Sequence, residues 1–114
     1  MRAIKIDVES RSIYEIELKK GLQPIYDAIG NNCTMFEAPV RFLNGDALFC
    51  DEEIRFRPDD VKGGFCIIGY QNDQHIINNG IIIGSDSEGE SCDSDSTLEY
   101  LQERVKFYRV RREQ

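Results

Sequence analysis

The chain has one histidine, no long apolar run and no paired cysteines at short spacing. A membrane-spanning helix needs ~20 consecutive apolar residues, and no apolar run here exceeds four residues. Charged and apolar residues alternate over 1–9, so we expect no secretory signal. These absences exclude a membrane span and favour a cytoplasmic location.

The four cysteines lack the spacing of a zinc site. Successive cysteines are 17, 16 and 26 positions apart (50 − 33, 66 − 50 and 92 − 66), whereas zinc sites place two thiolates two to four residues apart. Without a secretory signal, disulfides are disfavoured as well. We therefore expect reduced thiols, no metal and no other cofactor. The cysteines are Cys33, Cys50, Cys66 and Cys92.

Known catalytic and ligand-binding motifs are also missing. His75, the single histidine, follows a polar stretch without a nucleophile-elbow pattern, so a solvated loop histidine is the expectation. An EF-hand frame that starts at Asp86 has Ser91 at its sixth position and Thr97 at its twelfth, where glycine and glutamate are needed. No phosphate-binding glycine motif is present. We expect no catalytic residue and no metal ligand.

Acidic residues outnumber basic ones. The 114 residues carry 14 Lys and Arg against 21 Asp and Glu, for a net charge of −7, and 40% are hydrophobic. That hydrophobic content fills one small core. The negative charge repels phosphates, which disfavours direct nucleic-acid binding, and it suits a basic protein surface.

The first third of the chain predicts a hairpin followed by a helix. Apolar residues alternate over 2–8 and again over 12–18, with a short polar connection between the two stretches. Apolar positions three and four residues apart then predict a short helix over 22–29, closed by Gly30.

A second hairpin and two buried strands are predicted next. Asn44-Gly45 predicts a two-residue turn that pairs Phe42 with Ala47 and Val40 with Phe49. Pro39 favours an edge position for the first strand of this hairpin. The apolar runs at 65–70 and 81–83 predict central strands.

The composition changes after Gly84. Residues 85–96 contain five acids and no base, which predicts a mobile acidic loop, and a C-terminal helix is predicted at about 97–110. The complete pattern predicts a single α+β domain over 1–114. Its antiparallel or mixed sheet has five to six strands, with one short helix after the first hairpin and a C-terminal helix.

Four segments carry a resemblance to a known group of proteins. They are MRAIKID at 1–7, NGD at 44–46, DEE at 51–53 and GIIIGSDSEGE at 80–90. With them the chain resembles a family of small proteins, a domain of unknown function, carried by bacteriophages and bacterial mobile elements. The resemblance implies no activity for any residue, but it implies a protein that interferes with a host system.

The first functional hypothesis is a non-enzymatic acidic binding protein that acts on a basic host protein, imitating DNA. Its acids are clustered in two segments of the sequence. The candidate partner-binding residues are Asp51, Glu52, Glu53, Asp86, Glu88, Glu90, Asp93 and Asp95.

The alternative is a module that binds a small molecule or nucleotide between protomers. Basic residues near the C-terminus would supply the anion contacts. A homodimer is a further expectation, because a small domain gains stability by burying more surface. The candidate anion-contact residues are Arg104, Arg109, Arg111 and Arg112.

Overall fold

The structure, a computed structural model, describes residues 1–69 and 74–110. These residues form nine strands and two α-helices, with two short 3-10 turns at Ile54–Phe56 and Pro58–Asp60. The strands are β1 (Arg2–Asp7), β2 (Ser12–Glu17), β3 (Phe36–Arg41), β4 (Ala47–Asp51), β5 (Gly64–Ile67), β6 (His75–Ile77), β7 (Gly80–Ser85), β8 (Ser91–Cys92) and β9 (Val105–Tyr108). The helices are α1 (Leu22–Ile29) and α2 (Leu98–Arg104).

The strands form two antiparallel sheets. The larger sheet has the order β2-β1-β7-β4-β3, and β8 pairs with the end of β7 as its sixth strand. The smaller sheet has the order β6-β5-β9. This architecture confirms the predicted α+β class, the first hairpin, the short helix after it and a helix near the C-terminus. Neither described helix is long and apolar enough to cross a bilayer.

Strand β7 divides the core into two layers. Ile82 belongs to the cluster between the two sheets, together with Phe65 and Leu101. Its neighbours Ile81 and Ile83 point to the opposite face, where helix α1 covers them. Side chains alternate between the faces of a strand, so a run of three isoleucines serves both layers. The prediction of central strands is confirmed for β5 and β7, although they are central in different sheets.

The second hairpin forms as predicted, but its register is shifted by one residue. Val40 pairs with Leu48 and Arg41 with Ala47, so the predicted pairing of Phe42 with Ala47 is wrong. The Phe42 N–H donates to the Asp46 carbonyl oxygen over 2.9 Å, which leaves three residues in the loop. Only Gly45 in this loop has a positive φ, at 94°, whereas a two-residue type I′ turn requires two such residues.

Pro39 lies on an edge strand, as predicted. Strand β3 is the outermost strand of the larger sheet, and its pairing with β4 is irregular between Glu37 and Val40. Proline has no N–H to donate to a neighbouring strand, so an irregular edge accommodates it.

The helix predicted at about 97–110 ends at Arg104. Its start is as expected, since the Thr97 hydroxyl accepts a hydrogen bond from the Tyr100 N–H over 3.1 Å. The following residues form β9 instead, where Phe107 pairs with Phe65. Strand β5 is buried and needs a second neighbour opposite β6, and that requirement outweighs the helical spacing of the sequence.

Gly84 permits a close crossing of two backbone segments. A Cβ atom at this position would overlap the carbonyl oxygen of Asp93. We therefore expect Gly84→Ala to lower the free energy of unfolding by about 2–4 kcal/mol, because the Asp93 backbone would have to shift to make room for the methyl group. Ser85→Ala, at an exposed neighbouring position, should change it by less than about 0.5 kcal/mol. Urea denaturation measures both, and equal stabilities of the two variants would contradict the close crossing.

Candidate functional site

The two predicted acidic segments lie at opposite ends of the larger sheet. Phe49 pairs with Ile81, and β4 and β7 are antiparallel, so Asp51 is level with Asn79, before β7 begins. Asp86 follows the other end of β7, seven residues further along. At about 3.4 Å per residue, roughly 24 Å separates the two levels. The sequence hypothesis assigned both segments to the contact with a basic partner, and the structure does not bring them together.

A buried carboxylate organises the end of the sheet near Asp86. The Asp46 side chain is 1% exposed. Its Oδ2 accepts hydrogen bonds from the hydroxyls of Ser94 and Ser96, each over 2.6 Å, and from the Ser96 N–H over 2.9 Å. Its Oδ1 accepts from the Asp95 N–H over 3.1 Å. Four donors therefore converge on one carboxylate, and we refer to this arrangement as the Asp46 knot.

Arg2 binds the same segment from strand β1. The Arg2 carbonyl oxygen accepts from the Ser94 N–H over 2.9 Å. Its guanidinium donates to the carbonyl oxygens of Ser94 and Ser96 over 2.6 and 3.0 Å. Its N–H donates to the Asp93 carboxylate over 2.7 Å. Residues 93–96 are therefore held from two sides.

The remaining acidic segment forms a turn between β7 and β8. The Asp86 carboxylate accepts from the N–H groups of Glu88 and Glu90, both over 2.9 Å. Gly89 has a φ of +79°, which suits a residue without a side chain. The segment predicted as a loop over 85–96 therefore includes strand residues at Ser85 and Ser91–Cys92, and hydrogen bonds to distant residues hold 93–96.

We call residues 85–95 the acidic end. All five of its carboxylates belong to exposed residues, while Ser94 and Ser96 are buried. Among residues 1–69 and 74–110, the side chains of Glu88, Glu90 and Asp95 form no ion pair. The sequence hypothesis named these acids, and the structure presents them on one ordered segment. They are Asp86, Glu88, Glu90, Asp93 and Asp95.

Asp51, at the other end, is not available to a partner. It is 4% exposed, and its Oδ2 lies 2.6 Å from Nη2 of Arg57. The hydrogen bond to Asp51 is the main cause that raises the pKa of Arg57, so this guanidinium stays charged. Arg57 also contacts Asp60 over 2.9 Å. Of the neighbouring acids, Glu52 is exposed and Glu53 is half-buried.

His75 lies at a pocket rather than in a loop. It is the exposed first residue of β6, and its ring centroid is 4.9 Å from that of Tyr108. The pocket has a volume of about 430 Å³ and also includes Cys50 and Asp51. Burial is the main cause that raises the pKa of the Cys50 thiol to about 12. At neutral pH this thiol is protonated and is a poor nucleophile.

Arg104 and Arg109, the two described arginines of the alternative hypothesis, lie apart. The Arg104 guanidinium carbon lies 3.9 Å from the Tyr100 ring centroid, and Nη1 is 3.4 Å from the Glu103 carboxylate. Arg109 follows the far end of β9, about 17 Å away at 3.4 Å per residue. Arg111 and Arg112 lie outside the described residues.

Sequence reasoning missed Asp46 and Arg2. A signal was present in Asp93-Ser94-Asp95-Ser96, where acid and serine alternate. That period of two is typical of an extended segment with one face buried. Here the acids are exposed and the serines are buried against Asp46.

Comparison of the chain with protein-family models, with curated proteins and with solved structures finds no match.

We expect Asp46→Asn to lower the free energy of unfolding by about 3 kcal/mol. In the wild type the donors bind two carboxylate oxygens, whereas the asparagine amide has only one acceptor oxygen. The matched control is Asp86→Asn, which keeps the Oδ1 acceptor at an exposed turn and should cost less than about 1 kcal/mol. Chemical denaturation at pH 7 measures both variants.

The same substitution changes the pH dependence of stability. Burial alone would raise the pKa of Asp46, but the hydrogen bonds from Ser94, Ser96 and Asp95 outweigh it and hold the pKa below its usual value of 3.8. Ionised Asp46 therefore adds to the free energy of unfolding. This contribution is complete above pH 3.8, the pKa of the unfolded state, and is lost as the pH falls through the lower pKa of the folded state. The difference in free energy of unfolding between wild type and Asp46→Asn should therefore decrease on acidification below about pH 4. A constant difference would contradict the Asp46 knot.

Proposed function

We propose that this chain is a non-enzymatic binding protein whose acidic end contacts a basic surface of another protein. The observation that carries the proposal is the order of the acidic end: exposed carboxylates project from a segment held by the Asp46 knot. A preordered segment loses little conformational entropy on binding. Glu88, Glu90 and Asp95 form no ion pair with a described residue, which favours a partner that supplies positive charge.

The partner class that suits this charge is a protein whose basic surface binds nucleic acid. Such a surface is built to neutralise phosphates with Lys and Arg, and carboxylates at an acidic end would compete for the same side chains. An origin in a phage or mobile element, which the resemblance suggests, stays a prediction and is consistent with a host protein as the target. A homodimer also stays a prediction.

The test compares two triple variants that each change the net charge from −7 to −4. The first is Glu88→Gln, Glu90→Gln and Asp95→Asn at the acidic end. The second, a control, neutralises three exposed acids elsewhere: Glu9→Gln, Asp27→Asn and Glu103→Gln. A fluorescent lysine-rich peptide of about twelve residues serves as the probe for a basic surface.

We expect the acidic-end variant to bind this peptide about fivefold or more weakly than wild type, since three exposed ion pairs of about 0.3 kcal/mol or more are lost. The control variant should bind within about twofold of wild type, and added salt should weaken all binding. Fluorescence anisotropy measures the affinities. Equal losses in both variants would show that net charge alone attracts the peptide, and the proposal would fail.

In a second arm, wild type and both variants are baits for proteins from a bacterial lysate, and duplex DNA is added as a competitor. A partner of the proposed class is retained by wild type and by the control variant, is lost from the acidic-end variant, and is displaced by DNA. Retention of the same proteins by all three baits would contradict the proposal.

A further inference from the structure

The pocket beside His75 combines an apolar wall with uncompensated carboxylates. Ile54 and Ile76 form part of the wall, and Glu37 and Glu52 border the pocket as exposed residues. Its volume of about 430 Å³ falls within the range of small-ligand sites, which is about 300–1,000 Å³. This pocket lies at the end of the sheet opposite the acidic end, so a ligand bound here is independent of the proposed function.

The charges around the pocket favour a cation. Asp51 is already neutralised by Arg57, whereas Glu37 and Glu52 form no ion pair with any described residue. Arg55 is the one arginine or lysine among the described lining residues. Besides burial, the carboxylates of Glu37, Asp51 and Glu52 raise the pKa of the Cys50 thiol, which indicates a negative potential inside the pocket.

An exposed aromatic ring gives the pocket a second feature that suits an organic cation. Phe56 is 80% exposed and lines the pocket. The face of such a ring attracts ammonium and guanidinium groups. Ile54 and Ile76 in turn suit the methylene groups that carry such a head group.

We propose that this pocket binds an aliphatic chain that ends in a guanidinium or ammonium group. The head group would contact the carboxylates of Glu37 and Glu52, and the methylene stem would pack against Phe56 and the isoleucines. The same chemistry occurs in a free alkyl cation and in an arginine or lysine side chain of a protein, so the test includes both sources.

The probes are agmatine, as a free cation, and N-acetyl-arginine amide, as a protein-like side chain. N-acetyl-citrulline amide has nearly the same shape without the charge and serves as the uncharged control. Binding is followed by two-dimensional NMR of ¹⁵N-labelled protein, in which the amides of Ile54, Ile76 and Ile77 report on the pocket. For ligands of this size we expect a Kd of about 1 mM.

The variant Glu37→Gln with Glu52→Gln should weaken binding of the arginine compound about tenfold or more, because both charge-assisted contacts are lost. A matched control, Glu9→Gln with Asp27→Asn, makes the same charge change at exposed sites outside the pocket lining and should stay within about twofold of wild type. Agmatine binding without binding of the arginine compound would support a free cation as the ligand, and binding of both would support the shared chemistry.

Arg55→Gln tests the sign of the charge that the pocket favours. If the ligand is a simple cation, removal of this arginine should tighten binding about two- to threefold, since a like charge is removed. Weaker binding of N-acetyl-arginine amide by Arg55→Gln would show that Arg55 does not oppose the cationic head group, and would overturn the proposal. Equal binding of the citrulline and arginine compounds, or no shift at the pocket amides with either cation, would also overturn it.

Discussion

One buried carboxylate determines how this protein presents its charge. Asp46 follows the turn of the second hairpin, and its partners Ser94, Asp95 and Ser96 lie about fifty positions later in the chain. An ionised carboxylate is stable in a buried position only when several donors surround it. The need to satisfy Asp46 therefore fixes the path of residues 93–96. That path in turn leaves the neighbouring acids exposed on an ordered segment.

The larger sheet keeps two differently built charged regions apart. At one end of β7, hydrogen bonds from serine hydroxyls and backbone N–H groups satisfy Asp46, and Arg2 binds the backbone of the same segment. At the other end, Arg57 neutralises Asp51, and Glu37 and Glu52 border a pocket with an apolar wall. The first region offers an acidic surface, and the second offers a partly open pocket of about 430 Å³. The two proposals accordingly assign a basic protein surface to the first region and an alkyl cation to the second.

Local periodicity predicted most of the elements. The alternation over 2–8 and 12–18, the stripe over 22–29 and the apolar runs at 65–70 and 81–83 each reflect neighbours in the same segment. The register of the second hairpin was predicted wrongly from the local sequence. It depends on how many loop residues adopt a positive φ, and only Gly45 does. The end of α2 was missed because pairing with β5 determines it.

The candidate sites were predicted in part. The five exposed acids of the acidic end are visible in composition, whereas their order depends on contacts with Asp46 and Arg2 that no local pattern contains. The pocket joins the end of β4 to β6 from the other sheet, so its lining follows from tertiary packing. Asp51 was assigned to a partner surface because its neighbours are acidic, and its burial beside Arg57 was not apparent.

Amide hydrogen exchange of the wild-type protein measures the order of the acidic end most directly. The N–H groups of Ser94 and Ser96 donate to Arg2 and Asp46. They should therefore exchange at rates similar to those of the amides of strand β7, whose hydrogen bonds open only when the core unfolds. Exchange of both amides at the rate of an unstructured peptide, while β7 stays protected, would contradict a preordered acidic end.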